Sequence, residues 1–240
     1  MLTRDFPRLW SLTSGRWMVV SDLHGDGRLY KRFRNHFLDL HHKGEVDGLI
    51  LLGDLIHFTP REKQADTSLD MVLDVIKLQK EYGDAVIYLC GNHELPHIYT
   101  FNLSKGTTEY SPPFEQALTL SGRRAEILTF FKQLPFYLRT SAGVSITHAG
   151  AFDGAQSAEA MNQLFHWNHQ AVLDHATAIM SRYKRQALHY AYARLSGIHS
   201  YGHVVQALMG LDDPDDPHYD DPIRGLIAMR GFSYELAYLV

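Results

Sequence analysis

The chain has 240 residues, 45% of them hydrophobic, with 23 basic and 27 acidic side chains and a formal charge of −4. That length can bury a substantial core, and the lack of a basic excess argues against tight binding to long nucleic acid through phosphate contacts. Cys90 is the only cysteine, which excludes an internal disulfide, and no stretch reaches the ~18–20 apolar residues of a membrane span.

In chain order, Met1-Leu-Thr-Arg-Asp-Phe-Pro has an early acid and no apolar run of secretory type, so a cytoplasmic protein is expected. Leu9 to Val20 reads as an opening hairpin about Ser14-Gly15. Its second half, the apolar run Arg16-Trp-Met-Val-Val-Ser21, stops at Asp22-Leu-His24. Leu29, Phe33, His36, Phe37 and Leu40 then have helical spacing. Gly48-Leu-Ile-Leu-Leu52 repeats the strand pattern and stops at Gly53-Asp54. A second helical segment carries Leu69, Val72, Leu73, Val75, Ile76 and Lys80. Ala85-Val-Ile-Tyr-Leu-Cys90 ends at Gly91-Asn92-His93-Glu94, with Cys90 read as a core residue. This is β-α-β-α-β, which implies parallel strands.

Ligands of such sheets bind where the carboxyl ends of the strands open into a crevice. Asp22, Asp54 and Asn92, 32 and 38 residues apart in sequence, are therefore expected to converge. Val144-Ser-Ile-Thr147 reads as a fourth strand, of mixed type, delivering His148. Gly53 and Gly91 fit sharp turns beside packed ligands. Asp22, His24, Asp54, Asn92, His148 and His203, with His93 beside Asn92, suit two divalent metals. Oxygen and nitrogen ligands without thiolate favour Mn²⁺, Fe or Zn²⁺ over Ca²⁺ or Mg²⁺ alone.

Past His148, about residues 157–196 read as a helical insertion or cap of two or three helices. Its His166, His169, His175 and His189 lie in helical surroundings without a strand end and are read as non-ligands. Asp212 to Asp221 is an acidic, proline-containing surface loop. Ile223 to Arg230 and Phe232 to Val240 alternate like two strands around Gly231. Trp10, Trp17 and Trp167 are assigned to packing, and no linker divides the chain, so one domain over 1–240 is expected.

The clusters Ser-Asp22-Leu-His24-Gly, Gly-Asp54, Gly-Asn92-His93-Glu94, Thr-His148-Ala-Gly and Tyr-Gly-His203 resemble the calcineurin-like metallophosphoesterase superfamily. Within it, they are similar to the phosphoprotein phosphatase branch of bacterial and phage serine/threonine phosphatases. The resemblance runs from Arg16 to about His203. It implies an α/β fold, a two-sheet βαβ sandwich flanked by helices, with a dinuclear metal site at the strand C-terminal ends. One metal is then held by Asp22, His24 and a bridging Asp54, the other by Asp54, Asn92, His148 and His203, with Mn the leading metal. A hydroxide shared by the two metals attacks phosphorus, Asn92 contacts the substrate, and His93 gives the leaving group its proton. The resemblance also implies a phosphate-binding arginine between the last two histidines, for which Arg182, Arg185 and Arg194 are the candidates.

The chain departs from the branch at Gly53-Asp54-Leu-Ile-His57-Phe58. The branch has there a second Asp that orients the proton donor and an Arg that clamps phosphate, and neither His57 nor Phe58 replaces them in kind. Gly-Asp-Leu-x-His resembles the phosphodiesterase and nuclease branches, whereas Gly202-His203-Val204-Val205 lacks their second terminal histidine. The expectation is a phosphatase acting on a phosphorylated protein or a small phosphate ester. The alternatives are a phosphodiesterase or nucleotide pyrophosphohydrolase, such as a bis(5'-nucleosyl)-tetraphosphatase-like enzyme, and a metal-binding scaffold with decayed catalysis. Oligomeric state is not legible.

Overall fold

The computed structural model describes residues 1–58, 65–105, 107–150, 157–211 and 221–229. The strands in chain order are β1 (Leu2–Thr3), β2 (Leu9–Leu12), β3 (Trp17–Val20), β4 (Gly48–Leu51), β5 (Val86–Tyr88), β6 (Ser104–Lys105), β7 (Thr108–Glu109), β8 (Tyr137–Thr140) and β9 (Ser145–Thr147). The helices are α1 (Gly27–His42), α2 (Ser68–Tyr82), α3 (Leu95–Tyr99), α4 (Ser111–Ser121), α5 (Arg124–Gln133), α6 (Ala158–Phe165), α7 (His169–Met180), α8 (Arg185–Leu195), α9 (Tyr201–Met209) and α10 (Pro222–Met229). They fall into two compact units, one containing residues 1–95 and 129–167, the other 96–128 and the described residues from 168 onward.

The first unit holds two sheets. Strands β3, β4 and β5 are parallel neighbours in that order, with Val20 opposite Leu51 and Leu51 opposite Tyr88. All four residues of β4 are buried, as expected of a central parallel strand covered on both faces. The second sheet runs β1-β2-β8-β9, with β2 parallel to β8 and the outer pairs antiparallel. Leu12 and Leu138 of this sheet pack with Ile50, Ile87 and Leu89, and Trp10 and Trp17 flank the cluster, so the core lies between the sheets.

Helix α1 starts where the Asp26 carboxylate accepts from the N–H groups of Arg28 and Leu29. Helix α2 buries Met71, Val72, Val75 and Ile76, a stripe one step round from Leu69 and Leu73. The expected β-α-β-α-β order is present. The opening hairpin is not: β2 and β3 belong to different sheets, because Leu9–Leu12 finds its parallel partner in Tyr137–Thr140. Strand β9 does end at His148, yet it lies beside β8 rather than in the sheet of β3, β4 and β5.

The second unit is mostly helical. Tyr201, Val204, Val205 and Ile223 form its core with Met180, Leu188 and Tyr192. Residues 158–195 hold three helices, within the two or three read from the sequence, with α6 in the first unit and α7 and α8 in the second. Of the strand expected at Ile223–Arg230, the described part to Met229 is a helix instead: Asp221 accepts from the N–H of Ile223, and Pro222 occupies the first helical position, where its missing N–H costs nothing. Gly225 lies so close to the Tyr99 carbonyl that a Cβ there has no room. The acidic run from Asp212 to Asp220 and the expected strand at 232–240 lie outside the described residues.

Candidate metal centre

Three parallel strands end on one side of the first unit, and the loops beyond them are tied together. The His24 N–H donates to Asp54 O (2.9 Å) and the Gly25 N–H to Leu55 O (2.8 Å). Asp22, His24, Asp54 and His57 all have φ between 43° and 69°, a conformation side chains other than glycine rarely take. Such strain persists where surrounding bonds over-determine it, and here it turns the side chains back toward one point.

The loop after β5 is held by Glu94, which is fully buried. Its carboxylate accepts from the N–H groups of Asp54 (3.1 Å), Leu55 (3.2 Å) and Gly91 (2.7 Å) and from Tyr88 Oη (2.6 Å). Burial pushes its pKa up, as does nearby Asp54, while the donated bonds oppose this. Gly91 and Gly53 face each other so closely that a Cβ on Gly53 falls 2.5 Å from Gly91 Cα. The glycines expected at these turns are required by this contact.

Asp54 is the centre of the cluster and 3% exposed. Its Oδ2 lies 3.8 Å from His24 Nε2 and 3.7 Å from His93 Nε2, and its Oδ1 3.5 Å from His148 Nε2. Asp22 Oδ1 is 3.7 Å from His24 Nε2. Burial pushes the Asp54 carboxyl up to about 6, while His148 and the His93 N–H, at 3.0 Å, pull it down. The ligand atoms form two overlapping groups, His24-Asp54-His93 and Asp22-Asp54-His148, each within 4.8 Å and both containing Asp54.

Whether these residues fit a cation follows from the protons. His24 Nδ1 lies 3.3 Å from Ile56 O and His148 Nδ1 2.6 Å from Leu52 O. A carbonyl only accepts, so each Nδ1 carries the proton and, in the neutral ring, each Nε2 presents a lone pair. The His24 lone pair faces Asp22 and Asp54, and that of His148 lies 2.9 Å from Asn92 Oδ1. Carboxylate oxygens and imidazole lone pairs that converge in this way fit divalent metal. Cys90 stays out of this chemistry, being buried with its thiol pushed well up by that burial.

Asp22, His24, Asp54, Asn92, His93 and His148 are thus brought together, all within the first unit. His203 belongs to the second, in the first turn of α9, where its Nδ1 pairs with Ser200 Oγ at 2.6 Å. Neither ligand group among the described residues includes it. Arg182, Arg185 and Arg194 are exposed residues of the same unit, Arg185 Nε lying 3.3 Å from His189 Nε2. His169, read as a non-ligand, is buried against Tyr99 Oη at 2.6 Å.

Two features were not legible in the sequence. Glu94 stood in a quoted motif without a role, although an acid placed between Cys90 and Leu95 in a buried run was the available signal. His57, read as a lost partner of His93, is bonded to it: the two Nδ1 atoms are 3.0 Å apart.

The family model for calcineurin-like phosphoesterases matches residues 15–204, and the chain belongs to that family of metal-dependent hydrolases of phosphate esters. The family binds two divalent metals, for which the Asp54 cluster supplies candidate ligands. Among solved structures, the chain is similar to a serine/threonine phosphatase from Saccharomyces cerevisiae described as similar to human phosphatase PP5. The identity is 18% and the TM-score 0.39, over 56% of this chain and 38% of that one. No curated protein sequence matches the chain. No helix among the described residues is long and apolar enough to cross a membrane.

Proposed function

We propose that the chain is a phosphomonoesterase of serine/threonine phosphatase type, acting on a phosphorylated protein or a small phosphate ester in the cytoplasm. The observation that carries the metal chemistry is the convergence on buried Asp54 of Asp22 and of imidazole lone pairs from His24 and His148. When bound, a pair of divalent cations, Mn²⁺ by preference, supplies Lewis-acid activation of water and phosphate. Asp54 would be shared by both cations, with Asp22 and His24 holding one and Asn92 and His148 the other. Glu94 keeps the β4 and β5 loops in register, so the ligands need little rearrangement. His93 presents Nε2 on the same side of Asp54 as His24 and gives a proton to the leaving oxygen.

A second reading has a specific observation behind it. His57 and Phe58 stand where the phosphatase branch has an Asp and an Arg, and the Gly-Asp-Leu-x-His form, whose His57 lies against His93, resembles that of the phosphodiesterase branch. Turnover of p-nitrophenyl phosphate beside bis-p-nitrophenyl phosphate with added Mn²⁺ decides between them. Preference for the monoester is expected. A strong preference for the diester overturns the first reading, and no turnover with any divalent metal overturns both.

A further inference from the structure

Helix α1 carries its charges at the end where they oppose it. Residues 27–38 include Arg28, Lys31, Arg32 and Arg34 and no acid. A helix N-terminus favours negative charge, and like charges three or four residues apart repel. Asp26 at the cap serves the backbone, accepting from the N–H groups of Arg28 and Leu29 at 3.0 Å. Arg34 is engaged internally: its Nε meets Asp74 Oδ2 at 2.7 Å, and the same oxygen accepts from the Tyr30 hydroxyl at 2.8 Å. At the other end of the helix, Lys43 pairs with Asp39 at 2.7 Å. Arg28, Lys31 and Arg32 are exposed, and among the described residues their side chains make no ion pair or hydrogen bond.

Their spacing, i, i+3 and i+4, puts all three on one face of the helix. That face begins beside the candidate metal centre. The Gly25 N–H is held by Leu55 O, and His24 stands four residues before Arg28, so chain length alone keeps their Cα atoms within ~14 Å. Arg32 lies about one turn, ~6 Å, further along. Lys31 also lines a cavity of about 440 Å³ between α1 and α2. Buried Tyr30 and Met71 give this cavity an uncharged lining, and Asp70 on the α2 side leaves the α1 wall as the place for an anion. Unpaired cations at a helix position that disfavours them, in a chain of net charge −4, are accounted for by an anion that a partner brings.

We infer that the Arg28-Lys31-Arg32 face of α1 is a docking surface for an acidic segment of the phosphoprotein substrate. The inference rests on the reading of the protein as a phosphatase acting on phosphorylated protein. A run of carboxylates can meet all three cations along the ~6 Å from Arg28 to Arg32. An extended peptide advances ~3.3 Å per residue, so these acids fall within about six residues of the phosphoresidue.

The test uses two phosphoserine peptides that carry Glu or, isosterically, Gln at the third to sixth positions on both sides of the phosphoserine. The full, Mn²⁺-loaded chain should show a KM ~10-fold lower for the Glu peptide at similar kcat, the order expected of three exposed ion pairs. The difference should shrink to ~2-fold or less at ~1 M salt, where the screening length is ~3 Å. Arg28→Gln/Lys31→Gln/Arg32→Gln should abolish it. Lys77→Gln/Lys80→Gln/Lys105→Gln, which removes three other exposed cations, should keep it. The α1 variant should also unfold at or above the wild-type temperature, because the removed charges opposed the helix. If it does not fold, Lys31→Gln/Arg32→Gln takes its place. Apart from activity, the labelled, unphosphorylated Glu peptide should bind the metal-free full chain ~10-fold more tightly than it binds the α1 variant, read by fluorescence anisotropy.

Equal KM for the two peptides, loss of the preference in both triple variants, or a preference in kcat alone each overturn the inference. So does an α1 variant that unfolds well below wild type, which makes the three cations structural. A nucleoside triphosphate that displaces the labelled peptide at lower concentration than the unlabelled peptide does makes the face a polyphosphate site and overturns it as well. Turnover of p-nitrophenyl phosphate but of neither phosphopeptide overturns the protein-phosphatase reading instead. Anisotropy then decides the docking surface by itself, and equal binding by wild type and the α1 variant removes it.

Discussion

Glu94 and Glu115 are both fully buried glutamates, one in each unit, and they are satisfied in opposite ways. Glu94 is surrounded by neutral donors, three backbone N–H groups and the Tyr88 hydroxyl, and burial leaves its pKa raised. Glu115 is equally dry, but His97 Nδ1 at 2.6 Å and Arg124 Nε at 3.2 Å outweigh that burial and leave its pKa lowered. The difference separates two uses of a buried acid. Beside the candidate metal cluster, the carboxylate organises loops with neutral donors and brings no competing positive charge. In the helical unit, charge partners are free to lock α3, α4 and α5 together.

The largest effect should come from the centre that Glu94 supports. Asp54→Asn replaces by a neutral amide the charge that two cations share in the proposed centre. Metal per chain, measured by elemental analysis, should fall below two. Turnover should fall by more than the ~10–100-fold typical of residues that only orient a ligand. Two metals and near-normal turnover in that variant would remove Asp54 from the bridging position.

Glu115→Gln tests the opposite arrangement. It leaves Arg124 and His97 facing an amide, and breaking a buried pair in this way costs about 3–5 kcal/mol, readable by denaturant unfolding. The pH dependence has a definite sign. Because the folded pKa of Glu115 is lowered, its stabilisation is complete above the unfolded value of about 4.3 and is lost as pH falls through the folded value. The stability gap between wild type and Glu115→Gln should therefore be widest near neutrality and narrow below about pH 4. A gap that stays constant across that window would mean the carboxylate is not held by charge.

Glu94→Gln should be milder in stability and more visible in function. One oxygen then serves donors that had two, at a cost of about 1–3 kcal/mol for the group left unsatisfied. The loops carrying Asp54 and Asn92 lose their common anchor, so metal affinity should weaken by ~10–100-fold in a chelator competition. Unaltered affinity with reduced stability would make Glu94 a packing residue only.

The sequence by itself determined the half of this protein that carries the candidate ligands. Strand ends at Asp22, Asp54 and Asn92 were readable because apolar runs stop there, and a parallel sheet must bring such ends together. His148 was readable for the same reason, although its strand pairs with β8 in the other sheet. Residues 223–229 do not form the expected strand, because apolar and polar residues in that short segment fit both periods. Asp221, Pro222 and the close approach of Gly225 to Tyr99 decide for a helix. Leu9–Val20 failed as a hairpin because the true partner of β2 lies more than 120 residues later, at Tyr137–Thr140, and local turn chemistry carries no information at that range. Only the tertiary structure could show that Glu94 gathers three donors from two loops and a fourth from Tyr88 of β5, or that His57 meets His93 across 36 residues. Sequence lists which groups can donate and accept. Which of them finds which is settled when a buried polar group, denied water, must take the partner the fold brings to it.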